Sequence, residues 1–463
     1  MCKMTSGKQL AVAGDRRLMT EDRAQRAEDR SGALCRSLPA SDLRPPTSGL
    51  RPPIPQVALL TAGRDRPYAL GLAAALAAAG AQFDFIGSDE VDSPELHTSP
   101  QIHFLNLRGD QSVEAGRLKK VFRVLAYYFR LLAYAATAKP KIFHILWNNK
   151  FELFDRTALM LCYKLLGKKI VLTAHNVNIG KRDGTDSFLN RLTLKIQYRL
   201  CDHIFVHTPK MQAELVADFG VSEKKTSVIP LGINNAVPVT DLTTAAARAR
   251  LKIGLADKVI LFFGQIAPYK GLEFLVDAFA ELQTVAGRGP GTGHRTPTAD
   301  LRPPSSEYRL IIVGRPKGEK SYWDNLRRKI ADCAARDRIS ERIEFIPDAE
   351  TELYFKAADV LVLPYKHIFQ SGVLCLGYSF GLPVIAADVG SLKEEIIEGK
   401  TGFVFRPQDS SDLAVTIEKY FASVLYRNLD SKRQMIRDYA NKRYSWTKVG
   451  EITCRVYSDL LVR

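Results

Sequence analysis

The sequence predicts an α/β fold of two doubly wound domains, on three observations. A chain of 463 residues exceeds what one hydrophobic core supports. Short apolar runs alternate with longer helical segments, and the alternation restarts halfway along the chain, as parallel strands joined by crossover helices require. Between Asp359 and Phe405, two small-residue loops each follow an apolar run and open a helical segment, which is how open sheets present backbone amides to an anion.

Residues 1–54 alternate acids and bases with little apolar periodicity and lack the apolar stretch of a signal peptide, so they are expected to be a disordered or non-native extension. The first domain, 55–238, opens with a strand at Gln56–Thr61, a loop holding Gly63, Arg64 and Arg66, and an alanine-rich helix over 69–79. Strands follow at 83–86, 142–147, 169–173, 203–207 and 226–230, with a helix over 155–166. The segment 116–132 reads as a helix with Lys119, Lys120, Arg123 and Arg130 broadly on one side and leucines and aromatics elsewhere, a composition suited to lipid headgroups.

A polar linker leads into the second domain, 239–430, with strands at 259–264, 309–313 and 342–346 and a helix over 272–282. Val360–Leu363 is a short apolar run, as a strand covered on both faces should be. Gln370-Ser371-Gly372 then opens a helix to Phe380, Gly381-Leu382-Pro383 stops it, a strand begins at Val384 and another helix at Leu392. The stretch 287–306, rich in Gly, Pro, Thr and Arg, is an insert whose Asp300–Ser306 nearly repeats Asp42–Ser48; both copies read as flexible linkers. Residues 431–463 form terminal helices.

Composition narrows the function. No run of 18 apolar residues exists, so a membrane span is not expected. Seven cysteines stand singly without metal-ligand spacing, which favours reduced thiols and the cytosol and disfavours zinc. The net charge of +16 calls for an acidic partner. No nucleic-acid motif is present, so an anionic membrane surface or a phosphorylated acceptor fits better than nucleic acid. Neither paired carboxylates of a glycosidase nor a Ser/His/Asp or Cys/His set is recognisable.

The stretch from Asp359 to Phe405, with its G-L-P-V strand and its loop from Gly390 to Glu394, resembles the donor site of the retaining glycosyltransferases of family 4. The resemblance extends over roughly residues 56–460 apart from the insert. It implies the GT-B architecture, two doubly wound Rossmann-like domains facing across a cleft, with the last helix crossing back onto the first domain. It also implies a hexosyltransferase of polysaccharide biosynthesis that moves a sugar, with retention and without a metal or other cofactor, from a nucleotide-sugar donor to a glycan or lipid-linked acceptor. The expected location is cytoplasmic, on the inner face of the membrane.

By the same resemblance, Phe263–Gly271 corresponds to the motif whose Arg and Lys grip the donor diphosphate. Lys270 keeps the Lys position, Gln265 replaces the Arg, and Gly264 precedes it. The family's Glu pair would fall at Ile368 and Leu376, within one position; Gln370 and Ser371 are the candidate neutral substitutes, with the amides of Gly372, Val373 and Leu374 expected to point at phosphate. No acid occurs from Tyr365 to Ala387. Glu394 fits the loop Glu, with Glu395 as its neighbouring alternative. His175, directly after a strand, is expected near the donor sugar or acceptor. Arg315, at another strand end, is a candidate replacement for the lost phosphate charge, and Gly63, Arg64 and Arg66 fall in the acceptor-side loop. Two rival readings share the architecture: a nucleotide-sugar epimerase, and a non-catalytic binder of nucleotide sugars.

Overall fold

A computed structural model describes residues 57–63, 65–112, 116–233, 237–286, 308–318 and 320–462. The N-terminal extension, the insert 287–306, both copies of the repeated segment and Arg64 lie outside the described residues.

Two parallel sheets organise the rest. The first contains β1 (Val57–Leu60), β2 (Phe83–Ile86), β3 (Ile102–Leu105), β4 (Ile142–Ile145), β5 (Lys169–Ala174), β6 (His203–Val206) and β7 (Thr226–Val228), in the order β3-β2-β1-β4-β5-β6-β7. The second contains β8 (Lys258–Phe263), β9 (Tyr308–Val313), β10 (Ile339–Arg342), β11 (Val360–Leu363), β12 (Val384–Ala387) and β13 (Gly402–Phe405), in the order β10-β9-β8-β11-β12-β13. The strand pairs are parallel, and the central strands are buried along their length because helices cover both faces. Strand order reverses between β1 and β4 and again between β8 and β11. Each reversal opens a crevice beyond the carboxyl ends of its strands, where such sheets take ligands.

One strand sits three residues earlier than its expected 342–346. The stretch from Ile339 to Ile346 has apolar residues at both ends, and pairing of Ile339 with Leu310 and Arg342 with Val313 selects its first half. Phe345 is left exposed. The helix expected over 155–166 begins at Glu152 and contains a π segment, Asp155–Leu159, and the helix at Leu392 is a single turn ending at Glu395.

The last helix, Trp446–Val462, packs on the helix Arg66–Ala78 of the first domain. Its Val449, Val456, Tyr457 and Leu460 join the core on that face of the first sheet. Tyr457 meets the buried His144 of β4 at 2.5 Å, and Trp446 Nε1 donates to the Ile233 carbonyl at 2.9 Å.

Candidate functional site

Lys270 ends a short turn after β8 and is 5% exposed. Its Nζ donates to the Tyr365 hydroxyl at 2.6 Å and lies 3.8 Å from the centre of that ring. Tyr365 follows β11 on the far side of the reversal, and its hydroxyl is 3.3 Å from Ser371 Oγ. Ser371 in turn caps the helix Gly372–Ser379 by accepting from the Leu374 amide at 3.3 Å. Lys270, Tyr365 and Ser371 are thus one linked set across the second sheet's crevice.

That set borders a cavity of about 330 Å³. The second domain contributes Lys270 and the run Gln370–Val373; the first contributes Asp65, Tyr68 and Gly232; Trp446 closes it. A cation, a helix start and both domains therefore meet at one opening. Burial, with Arg182 and Lys317 nearby, pushes the Lys270 ammonium down to about 7. Gln370, which lines the cavity, holds a buried carboxamide oxygen with no hydrogen-bond partner among the described residues.

The residues expected from the sequence divide. Lys270, Gln370, Ser371, Gly372 and Val373 line the cavity together. Gly264 lies opposite them: a Cβ built on it would come 3.3 Å from the Val373 side chain. The Leu374 amide, expected at the anion, is instead taken by Ser371, leaving the first-turn amides of Gly372 and Val373 for a ligand. Gln265 is exposed and outside the lining. Arg315 is also exposed, with its guanidinium 5.6 Å from the Phe345 ring, and lies outside the lining. The cations that Lys270 senses are Arg182, which reaches over Tyr269 from the first domain, and Lys317.

Glu394 lies apart from Lys270. It is half-exposed, pairs with Lys210 of the first domain at 3.2 Å, and faces a neighbouring cavity with His207 and Lys442. Among the described residues, only Gln370 borders both cavities. Glu395, the alternative, is buried against Arg443 and the Tyr444 hydroxyl, a structural pairing. The loop bearing them is pressed onto the Gln370 segment. Gly390 has φ +57°, and a Cβ there would overlap the Ile368 carbonyl, so only glycine fits.

His175 is half-buried behind Tyr68. It stacks on Trp147 at 3.8 Å, meets Tyr68 edge-on at 4.6 Å, and its Nδ1 is 3.0 Å from His207 Nε2. Burial, then His207 and His144, push its pKa well down, so it is neutral. Its Nε2 has no partner among the described residues. Tyr68 is shared between His175 and the Lys270 cavity. Gly63 is held by Gln111, and Arg66 begins the next helix as an exposed residue.

Sequence reasoning missed Tyr365, Trp446 and Arg182. Tyr365 was legible as a phenol directly after a buried strand and its proline; the other two become site residues only through contacts between domains. No cluster of three or more His, Cys, Asp or Glu able to hold a metal occurs among the described residues.

Comparison with known proteins bears on the family and the fold. Residues 67–237 match the model described as Glycosyltransferase Family 4, and residues 257–423 match that of Glycosyl transferases group 1. The chain is 28% identical over 313 residues to a D-inositol 3-phosphate glycosyltransferase of Nocardia farcinica, covering 63% of this chain and 61% of that protein. It is 25% identical over 261 residues to the mannosylfructose-phosphate synthase of Agrobacterium fabrum, covering 55% and 52%. The chain thus spans less than two thirds of the length of these relatives. Among solved structures, it superposes on a sucrose-phosphate synthase from Thermosynechococcus elongatus with a TM-score of 0.66 at 20% identity, covering 88% of this chain and 99% of that one. Anabaena HepE in complex with UDP-glucose gives 0.63 at 17% identity, with 87% and 99% covered. Both matched models and the two facing sheets lead to one assignment: the chain belongs to glycosyltransferase family 4 and has the GT-B fold.

Proposed function

We propose that this protein is a retaining, metal-independent glycosyltransferase that moves a hexose from a nucleotide sugar to a glycan or lipid-linked acceptor. The observation that carries the reading is the Lys270–Tyr365–Ser371 set, aimed with a helix start into a cavity walled by both domains. Sugar transfer breaks the bond between the anomeric carbon and the diphosphate, forms one to the acceptor oxygen, and leaves the acceptor's proton to the departing phosphate. The developing charge falls on the leaving diphosphate. A protonated Lys270 and the amides of Gly372 and Val373 neutralise it without a metal. Gln370 accepts from a hydroxyl of the donor, and His175, held by Trp147 and His207, supports the sugar-facing wall through Tyr68.

Relatives support the donor class: HepE is solved with UDP-glucose, and the similar proteins of Nocardia and Agrobacterium are named a D-inositol 3-phosphate glycosyltransferase and a mannosylfructose-phosphate synthase. Membrane association rests on the helix Arg117–Thr137. Leu118, Val121, Phe122, Leu125 and Phe129 are 58–88% exposed and, by their spacing, share one face of it. Lys119 and Arg130 lie along one flank of that ridge. An exposed apolar ridge with a cationic flank suits an anionic bilayer surface. Among the described residues no helix is long and apolar enough to cross a membrane.

Thermal unfolding of the purified protein against UDP, GDP, ADP and their sugars tests the donor assignment. A ligand at 100 times its Kd stabilises by about 2.7 kcal/mol. One nucleotide series should raise the midpoint, and the rise should be reduced to about half or less in Lys270→Ala. A midpoint that no series moves, or a shift as large in Lys270→Ala as in wild type, would refute it.

A further inference from the structure

The first sheet has a switch-point crevice of its own, beyond the ends of β1 and β4. A cavity of about 280 Å³ lies there, lined by Arg108, Lys120, Arg123 and Lys150 and by one carboxylate, Asp110. Arg108 ties the two strand exits together: its guanidinium donates to the Ala62 carbonyl at 2.6 Å after β1 and to Asn149 Oδ1 at 3.5 Å after β4. It also lies 5.0 Å over the ring of Tyr127, whose hydroxyl donates to the same Asn149 oxygen at 2.7 Å. Arg123 reaches Asp110 at 2.9 Å and the Ser112 carbonyl at 3.0 Å. Behind the lining, Asp155 Oδ1 accepts from Tyr128 and Asn149. Four cationic side chains around one carboxylate make a cavity for an anion.

We propose that this cavity binds a phosphate carried by the acceptor, and so fixes which acceptors the enzyme glycosylates. The inference rests on the transferase reading above, because it needs a reacting centre nearby. Ala62, whose carbonyl Arg108 holds, is three residues from Asp65, which lines the Lys270 cavity. The intervening loop spans at most about 11 Å. A phosphate anchored at Arg108 therefore sits one short loop from the wall of the Lys270 cavity. Planar guanidinium groups match phosphate oxygens in pairs, and the two lysines add charge without fixing orientation. The same helix that lines this cavity with Lys120, Arg123 and Tyr127 carries the exposed apolar ridge, so a phosphate in solution and one at a lipid surface both have access.

The test is titration of the full-length chain with inorganic phosphate, comparing wild type, the double variant Lys120→Gln/Lys150→Gln, and Lys270→Ala. Lys150 is exposed and Lys120 half-buried, so the double variant should fold, and its unfolding midpoint checks this. Phosphate should bind at least tenfold more weakly to the double variant and within twofold of wild type to Lys270→Ala. Phosphate binding lost only in Lys270→Ala, or equal in the double variant and wild type, would overturn the proposal. Nucleotide binding by the double variant reports separately on the donor cavity, so failure of either reading is distinguishable. Glucose 6-phosphate and phosphatidylcholine vesicles doped with phosphatidic acid then identify the source. Binding sensitive to the double substitution with the first supports a soluble acceptor, and with the second a lipid one; insensitivity with both overturns the site.

Discussion

Lys270 Nζ and the Tyr365 hydroxyl are 2.6 Å apart, across the point where the second sheet reverses its strand order. The phenol accepts from the ammonium and links it to Ser371 at the helix start. Each partner comes from a different strand exit, so the pair sets the width of the crevice as well as its charge.

Lys270→Ala should weaken nucleoside diphosphate binding by about tenfold to a hundredfold, the loss of a charge-assisted contact of about 1.5–3 kcal/mol. Tyr365→Phe keeps the ring under the ammonium and removes only the hydroxyl, so its effect should stay below tenfold. Calorimetric titration of both variants distinguishes a cation that binds from a tyrosine that positions it.

Lys270 must carry its proton to pair with a diphosphate, yet burial holds it at about 7. Nucleotide-sugar binding should therefore take up a proton above pH 7, and affinity should fall by up to tenfold per pH unit there. Titrations of the nucleotide sugar in buffers of different ionisation enthalpy count that proton. The free nucleoside diphosphate is less suitable because its terminal phosphate titrates near neutrality.

The same depressed value costs stability. Unfolded, Lys270 binds its proton up to its ordinary 10.5, so between about 7 and 10.5 the unfolded state holds more protons than the folded one. This residue's cost is therefore full below pH 7 and is relieved as pH rises toward 10.5. Lys270→Met should raise stability at neutral pH by a few kcal/mol and remove that part of the pH dependence. Urea unfolding at pH 6, 7.5 and 9 measures both.

The strands and glycine loops were legible because a parallel strand buried on both faces must be a short apolar run, and Val360–Leu363 and Val384–Ala387 are such runs. The start of the donor loop was legible too, since Ser371 is a helix cap by type and place. Arg315 lies outside the lining of the Lys270 cavity because a strand end fixes where a backbone stops and leaves the side chain's direction open. Arg182 and Trp446 were beyond reach from spacing, because their site contacts cross between domains. Glu394 and Glu395 differ by one position on a single helical turn, yet one pairs across domains with Lys210 and the other is buried against Arg443.

Replacing Phe122 and Phe129 by Glu should abolish binding to anionic vesicles and leave nucleotide binding unchanged. Both rings are 74% exposed on the ridge of Arg117–Thr137, so folding stability should move by less than about 0.5 kcal/mol. Co-sedimentation with vesicles, alongside nucleotide titration, is the check; vesicle binding that survives both substitutions removes the ridge as the membrane contact.

Gly232 links the two domains through Trp446. Its φ of +82° strains any side-chain residue, and a Cβ there would come 2.4 Å from the indole. The indole is also tied by its Nε1 to the Ile233 carbonyl, so it cannot move aside without losing that bond. Gly232→Ala should thus cost about 2–4 kcal/mol, combining the backbone strain with overpacking. In a Trp446→Ala background only the backbone part remains, about 1 kcal/mol. A double-mutant cycle by urea unfolding should then show a coupling of at least 1 kcal/mol between the two positions. Additive effects would mean that the indole yields freely, and that the last helix does not hold this wall of the Lys270 cavity in place.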